Sequence, residues 1–225
     1  MDLKSASFSR QICFNIQKGK SVEDGTDMIE NGTGLCNNRT DSELMKAVAE
    51  KDKDAFKQIM SRYQKRVYKL VYRFTGDGEM AQELTQDIFL KVFKAAKTYT
   101  PEAQFFTWLY RIATNHCINF ARKNQRDPLY KSDNSMDEKS TAVSSHNGYS
   151  SQLEILEEEE MARLVRRALD TLANRQRMAI VLLRFEDFTY KEIAKVLGCS
   201  VSAVESLIFR GMESLKRRFS EIIGI

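Results

Sequence analysis

The sequence is poor in the residues that interrupt helices, with only two prolines and ten glycines among its 225 residues. This scarcity favours a mostly helical fold with few tight turns. No hydrophobic run approaches the length of a membrane span. Polar residues also interrupt Phe8–Ile16, where a signal peptide would need a continuous apolar segment. We therefore expect a cytoplasmic protein without stable membrane insertion.

Side chains for metal, disulfide or catalytic chemistry are also scarce. The chain has four cysteines and two histidines, namely Cys13, Cys36, Cys117, Cys199, His116 and His146. The cysteines form no C-x-x-C pair, and a structural zinc site needs four closely arranged ligands. There is no Gly-rich phosphate loop, nucleophile elbow or paired carboxylate site. We expect reduced, partly buried thiols, no metal, no cofactor and no catalytic residue, so an enzyme is the least favoured class.

Composition changes along the chain and predicts four segments in an all-α protein. Residues 1–40 lack periodicity and predict a flexible N-terminal extension, whereas residues 41–126 predict a helical bundle. Residues 127–155 are rich in Ser, Asp and Asn and predict a flexible linker. Residues 156–225 predict a second small helical domain. The net charge of +4 is only mildly basic, so any nucleic-acid surface depends on where the charge lies.

Apolar spacing predicts four helices in the bundle. The first helix begins at Glu43 and is capped by Asp41 or Ser42, and the second contains the apolar series Phe56–Phe74 and is ended by Gly76 and Gly78. The third covers about residues 79–96, and the fourth about residues 105–123.

The fourth helix carries a polar stripe of Arg111, Asn115, Asn119 and Arg122 at four-, four- and three-residue steps. No acidic residue occurs between Phe105 and Arg126. Arginine and asparagine contact phosphates and base edges, so the stripe is a candidate nucleic-acid surface. The alternative is an exposed helix that its charge keeps soluble. Trp108, beside the stripe, is expected to pack partly buried rather than to stack on bases.

The segment Tyr190–Arg210 has the pattern of a helix-turn-helix. Ala194, Gly198 and Val204 have the spacing that this motif needs: a small residue where helices cross, a glycine in the turn and a branched apolar residue that closes the pair. Ser200 is placed to cap the second helix. That helix can enter the DNA major groove, although an ordinary antiparallel helix pair has similar spacing.

Three motifs in this order resemble the bacterial sigma-70 superfamily, specifically its small extracytoplasmic-function group. AQELTQDIFLKVFKAAKTY is similar to region 2.2, and FFTWLYRIATNHCINFARKNQR to the promoter-melting and −10-recognition segment. RRALDTLANRQRMAIVLLRFEDFTYKEIAKVLGCSVSAVESLIFRGMESLKRR is similar to region 4. The resemblance covers about residues 44–219.

This resemblance implies a non-catalytic sigma factor that binds core RNA polymerase, recognises −10 and −35 promoter elements and melts DNA for transcription initiation. It also implies an anti-sigma factor as a partner. A base of the −10 element would enter a loop at about Thr100–Phe106. The implied site residues fall into three groups: for polymerase Glu83, Gln86, Asp87 and Lys91; for the −10 element Gln104, Arg111, Asn115, Asn119, Arg122 and Lys123; for the −35 element Ser200, Ser202, Glu205, Ser206 and Arg210.

The chain departs from the family pattern in its recognition helix. Glu205 and Leu207 stand where Lys and Arg are common, which predicts weaker phosphate contacts. Gly211 replaces a frequent alanine, and a glycine inside a helix is expected to cost about 1 kcal/mol.

Two other classes of protein remain as alternatives. A conventional transcription regulator would bind an operator without polymerase, usually as a dimer, but the sequence offers no sensor domain and no obvious dimer helix. A sigma-mimicking module would capture an anti-sigma factor without touching DNA, and the Arg/Asn stripe argues against it. The acidic residues at the end of the linker fit either a soluble tether or a segment that enters the polymerase channel.

Overall fold

The structure is a computed structural model that describes residues 39–100, 104–126 and 163–223. In these ranges the chain is helical and contains no strand. The helices are α1 (Asp41–Ala49), α2 (Lys53–Thr75), α3 (Gly78–Ala95), α4 (Phe105–Arg126), α5 (163–170), α6 (Asn174–Phe185), α7 (Tyr190–Leu197) and α8 (Val201–Ile223). A single 3₁₀ turn, Ala96–Thr98, follows α3.

The all-α fold class is therefore confirmed. Residues 1–38 of the predicted N-terminal extension, the whole predicted linker and its acidic end lie outside the described residues. The four segment boundaries stay predictions.

The start of α1 differs from the sequence prediction. The helix begins at Asp41 rather than Glu43, and Thr40 caps it instead of Asp41 or Ser42. The Glu43 backbone N–H donates to Thr40 Oγ1 at 3.3 Å, and the Thr40 N–H donates to Glu43 Oε2 at 2.7 Å. This reciprocal capping box satisfies two backbone groups at once and so outcompetes a single aspartate or serine cap. Asp41 instead accepts hydrogen bonds from Arg62 and Tyr63 of α2.

Gly76 ends α2 as predicted, but Gly78 does not. Gly76 has a φ of +81°, a left-handed conformation that glycine adopts without strain. Gly78 is the first residue of α3, because the Asp77 side chain accepts a hydrogen bond from the Met80 N–H at 3.0 Å and caps that helix.

The N-terminal helices pack as the apolar spacing predicts. On α2, Val67, Leu70 and Val71 are fully buried, and on α3 Ile88 and Val92 are fully buried. The aromatic start of α4 packs against the same bundle: Phe105 lies 5.1 Å from Tyr63, measured between ring centroids. Burial of these side chains fixes which face of α3 and of α4 remains in solvent.

The helix-turn-helix has the predicted geometry. Gly198 adopts a left-handed φ of +61° in the turn, and Val204 is fully buried between the helices. Ser200 Oγ accepts the Ala203 N–H at 3.2 Å, which caps α8. The second helix of the motif continues without interruption to Ile223, so it both presents the recognition face and packs on α6.

Gly211 has a place in the packing of α8 on α6 that its helix propensity does not indicate. Gly211 is buried, and a Cβ at this position would lie 2.7 Å from Ile180 Cδ1 of α6. The missing side chain lets α8 pack closely on α6 at this point, and this packing opposes the cost of its poor helix propensity.

Candidate promoter and polymerase interfaces

One face of α4 is buried and the opposite face is polar and exposed. Leu109, Tyr110, Ala113 and Cys117 form the buried face. The side chains predicted to contact the −10 element all lie in solvent, namely Gln104, Arg111, Asn115, Asn119, Arg122 and Lys123. Burial of the apolar face therefore holds the Arg/Asn stripe outward along about three turns of one rigid helix.

The aromatic residues before and within the first turn of α4 pack on one another. Trp108 is half-buried, with its ring centroid 5.2 Å from that of Tyr99 and 5.8 Å from that of Phe105. This confirms that Trp108 packs partly buried. The predicted base-binding loop falls partly on residues 101–103, which lie outside the described residues.

The recognition face of α8 is exposed along its length. All five residues predicted to contact the −35 element are exposed, namely Ser200, Ser202, Glu205, Ser206 and Arg210. Ser200 is also engaged as the helix cap, and Ser206 Oγ donates to the Ser202 carbonyl at 3.0 Å. The serine hydroxyls of this face are thus engaged in hydrogen bonds within α8, in contrast to the side chains of Glu205 and Arg210.

Sequence reasoning missed Phe209, which is 69% exposed on α8. It follows Ser202 and Ser206 at four- and three-residue steps and thus shares their face. The sequence did hold a signal, because helical spacing assigns the buried positions to Val204, Ile208 and Leu215 and leaves Phe209 outside them.

Two lysines beside the recognition helix were also missed. Lys191 and Lys195 of α7 line an open groove of about 690 Å³ with Arg111 of α4. The groove also includes Ser200 and Val201 at the start of α8. The structure thus brings one end of the predicted −10 stripe beside the start of the predicted −35 helix.

The exposed face of α3 holds all four predicted polymerase-binding residues, Glu83, Gln86, Asp87 and Lys91. Leu90 lies on this face and is 55% exposed, and Phe93 nearby is 37% exposed. Exposed apolar side chains within a mixed polar face are typical of the centre of a protein interface. The sequence signal for Leu90 was its position between the polar residues Asp87 and Lys91.

His116 of α4 lies against this face of α3. Its Nε2 atom is buried and 3.5 Å from Asp87 Oδ2, too far for a well-formed hydrogen bond. Burial, with a contribution from Lys91, lowers the pKa of His116, and the Asp87 carboxylate opposes this only in part. The imidazole is therefore held neutral near pH 7.

The described residues include two cysteines, neither of which is in a disulfide. Cys117 is fully buried, and burial raises the pKa of its thiol to about 12. Cys199 is a free, partly buried thiol. Among the described residues, no three histidine, cysteine, aspartate or glutamate side chains are grouped so as to hold a metal ion. No helix in that part of the chain is long and apolar enough to cross a membrane.

Family comparisons agree with the motifs in both halves. The sigma-70 region 2 family matches residues 59–127, and the sigma-70 region 4 family matches residues 162–215. The chain is 31% identical over 185 residues to the ECF RNA polymerase sigma-E factor of Escherichia coli K12, covering 82% of this chain and 96% of that protein. It is 30% identical over 185 residues to the RNA polymerase sigma-H factor of Pseudomonas aeruginosa, covering 81% and 95%.

Solved structures show the same fold. CnrH in complex with the cytosolic domain of CnrY aligns with a TM-score of 0.55 at 24% identity, covering 80% of this chain and 97% of that one. The sigma factor RpoE of Bartonella quintana, in complex with the anti-sigma factor NepR, aligns with a TM-score of 0.55 at 22% identity, covering 75% and 98%.

The helical bundle with its exposed polar stripe and the helix-turn-helix domain together define a transcription initiation factor. The chain belongs to the sigma-70 family of RNA polymerase sigma factors, as a member of the ECF type. It binds core RNA polymerase and recognises −10 and −35 promoter elements for transcription initiation. Members of this family are generally non-catalytic.

Proposed function

We propose that the polar stripe of α4 holds the separated strand of the −10 element. The observation that supports this proposal is the exposed row of Arg111, Asn115, Asn119 and Arg122 on a helix whose other face is buried. Arginine and asparagine side chains bind phosphates and the edges of unpaired bases, and no carboxylate on this helix repels the strand. Gln104 and Lys123 extend the stripe at its two ends. The factor promotes melting by binding unpaired bases and catalyses no reaction of its own.

The exposed face of α8 reads the −35 element as a duplex. Arg210 can donate hydrogen bonds to guanine, and Glu205 can accept one from the cytosine amine. The hydroxyl groups of Ser202 and Ser206 can either donate hydrogen bonds to base edges or accept them. Phe209 adds an apolar surface that fits the methyl group of thymine. Because Glu205 stands on this face, the surface has less positive charge than a lysine-rich recognition helix, and base contacts contribute a larger share of its binding.

The exposed face of α3 binds core polymerase. Leu90 forms the apolar centre of the contact, and Glu83, Gln86, Asp87 and Lys91 surround it with groups that pair with a polar partner surface. An apolar anchor within a polar rim is the usual arrangement of a protein interface. The protein acts in the cytoplasm, where polymerase and promoter DNA are found.

An anti-sigma factor is a further partner. Two solved structures similar to this chain are complexes, one with the cytosolic domain of CnrY and one with the anti-sigma factor NepR. The shared fold supports an interaction of the same kind, although it identifies no contact residue in this chain.

The test of the −10 assignment is the double variant Arg111→Ala/Asn119→Ala in a reconstituted holoenzyme. Promoter opening, measured as permanganate reactivity of unpaired thymines, should fall roughly ten- to thirtyfold, because two polar contacts of about 1 kcal/mol each are lost. Binding to core polymerase should not change. Lys65→Ala is the control, since it removes one exposed charge from α2, away from the stripe. Normal opening by the double variant would show that the stripe does not hold the strand.

A further inference from the structure

His116 of α4 is a titratable side chain that neither the promoter assignment nor the polymerase assignment uses. Its side chain is only 17% exposed, and its Nε2 atom is buried without a hydrogen-bond partner. Buried polar atoms in folded proteins nearly always have a partner, so an unpaired ring nitrogen is unusual. This nitrogen is therefore free to form a hydrogen bond when the protonation of the ring changes.

The group that His116 Nε2 faces belongs to the exposed face of α3. Asp87 Oδ2 lies 3.5 Å from Nε2, beyond the range of a good hydrogen bond but close enough for a small movement to form one. The Asp87 side chain is 52% exposed, whereas that of His116 is mostly buried. A shortening of this contact would therefore move the carboxylate towards α4 and leave the imidazole in place.

Burial and two side chains of α3 control the charge of His116. Lys91 and Asp87 are the charged groups that act on its pKa, and none from α2, α6 or α7 in the described part of the chain is among them. On α4 itself there is no carboxylate between Phe105 and Arg126. Burial, which has the largest effect, and Lys91 lower the pKa of His116, so the ring takes up a proton only on acidification.

Protonation changes the hydrogen bonds that the ring can form. In neutral imidazole one nitrogen is an acceptor, whereas in imidazolium both nitrogens carry hydrogen and donate. Nε2 then donates to Asp87 Oδ2, and a charge-assisted hydrogen bond of this kind shortens to about 2.7–2.9 Å. The imidazolium thus draws the carboxylate towards α4 and neutralises its charge. Asp87 is then no longer available to a cationic group of a partner.

We propose that His116 is a positioning residue of the polymerase interface, which withdraws the Asp87 carboxylate from polymerase when the imidazole is protonated. The proposal rests on the assignment of the exposed face of α3 to core polymerase. Near neutral pH the uncharged ring leaves Asp87 exposed between Glu83 and Lys91 on that face. On acidification the ion pair with His116 competes with the polymerase contact, and the affinity of the factor for polymerase decreases. By the same linkage, polymerase binding disfavours protonation of His116.

The test is the pH dependence of binding to core polymerase for the full-length wild type, for His116→Gln and for the control His146→Gln. Glutamine keeps a polar side chain but does not take up a proton as histidine does. The control makes the same substitution at the other histidine of the chain, outside α3 and α4. Between about pH 7.5 and about pH 5.5, the wild type and the control should lose roughly fivefold more affinity than His116→Gln, which is the effect of one surface charge pair.

Two charge-removing variants of α3 distinguish an effect through Asp87 from a general effect of His116 on folding. Asp87→Asn removes the carboxylate that His116 withdraws, and Glu83→Gln removes another carboxylate from the same face. In the Asp87→Asn background, adding His116→Gln should no longer change the pH dependence, whereas in the Glu83→Gln background it should still reduce it. A purely structural role of His116 would give the same change in both backgrounds.

Titration of the His116 ring by NMR follows the same contact in the free chain. Because Asp87 raises the pKa of His116 and Lys91 lowers it, the midpoint should decrease in Asp87→Asn and increase in Lys91→Ala. Far-UV circular dichroism at each pH will show that the variants are folded.

The proposal is overturned if the wild type and His116→Gln lose equal affinity on acidification, or if the ring titration does not respond to Asp87→Asn. A failure of the polymerase assignment would give a different result. In that case Asp87→Asn would bind core polymerase at about pH 7.5 as tightly as the wild type does.

Discussion

At the scale of single residues, Gly211 is a position where packing and helix propensity act in opposite directions. Gly211→Ala improves the local propensity of α8 but places a Cβ 2.7 Å from Ile180 Cδ1. We expect the clash to dominate and to lower the free energy of unfolding by about 1–3 kcal/mol, measured by urea denaturation.

Glu213→Ala, two positions along the same helix, is the control for a change at an exposed site and should have little effect. An increase in stability for Gly211→Ala would contradict the close crossing of α6 and α8.

The lowered pKa of His116 predicts that the free energy of unfolding decreases as the pH falls below about 6.5. Because the pKa of His116 is lowered in the folded protein, the unfolded chain binds more protons around its ordinary value of 6.5. The stability that neutral His116 contributes is present above about pH 6.5 and is lost as the pH falls through the lowered folded value.

The measurement is urea denaturation of the wild type and of His116→Gln at several values between about pH 5 and 7.5. The variant should lose less stability than the wild type as the pH decreases. Equal slopes in the two proteins would show that His116 is not the responsible group.

At the scale of elements, periodicity predicted most of the helices and their buried faces. The α2 series and the helix-turn-helix were predictable because side chains at three- and four-residue steps share a face in any helix. The cap of α1 was missed because Thr40 and Glu43 act as a reciprocal pair, whereas Asp41 was considered alone. Leu90 and Phe209 were missed because the predicted site residues on these two faces were all polar, whereas Leu90 and Phe209 are apolar.

The exposed faces of α3 and α8 predict separable losses of function. Leu90→Ala should weaken core polymerase binding roughly tenfold, since burial of a leucine contributes about 1.5–3 kcal/mol, and should barely alter folding at a 55% exposed site. Phe209→Ala should leave polymerase binding intact and reduce initiation at promoters that depend on the −35 element.

Each variant is therefore the control for the other, because both remove an exposed apolar side chain. Equilibrium binding to core polymerase and run-off transcription on promoters with and without a −35 element measure the two effects. The same defect in both variants would contradict the division of labour between the two helices.

At the scale of the whole molecule, the arrangement of the two halves was beyond the sequence. Arg73 and Glu186 are separated by 113 positions, and no periodic pattern links them. Sequence reasoning found the two halves and the order of their motifs, because each is defined by local spacing. The contact between the halves includes the packing of Phe188 on Phe106 and Tyr110. These residues are far apart in the chain, so no local sequence pattern predicts that they meet.

The packing of the two halves also brings predicted site residues of both halves close together. Arg111 and Ser200 line one groove in the described structure, although the proposed function assigns them to two different DNA elements.

The most direct test of the account is transcription by bacterial core polymerase and this chain on fragmented genomic DNA, with sequencing of RNA 5′ ends. The account predicts start sites that depend on the chain and share two upstream elements at −10 and −35. Absence of chain-dependent starts, with the polymerase active and the chain folded, would contradict it.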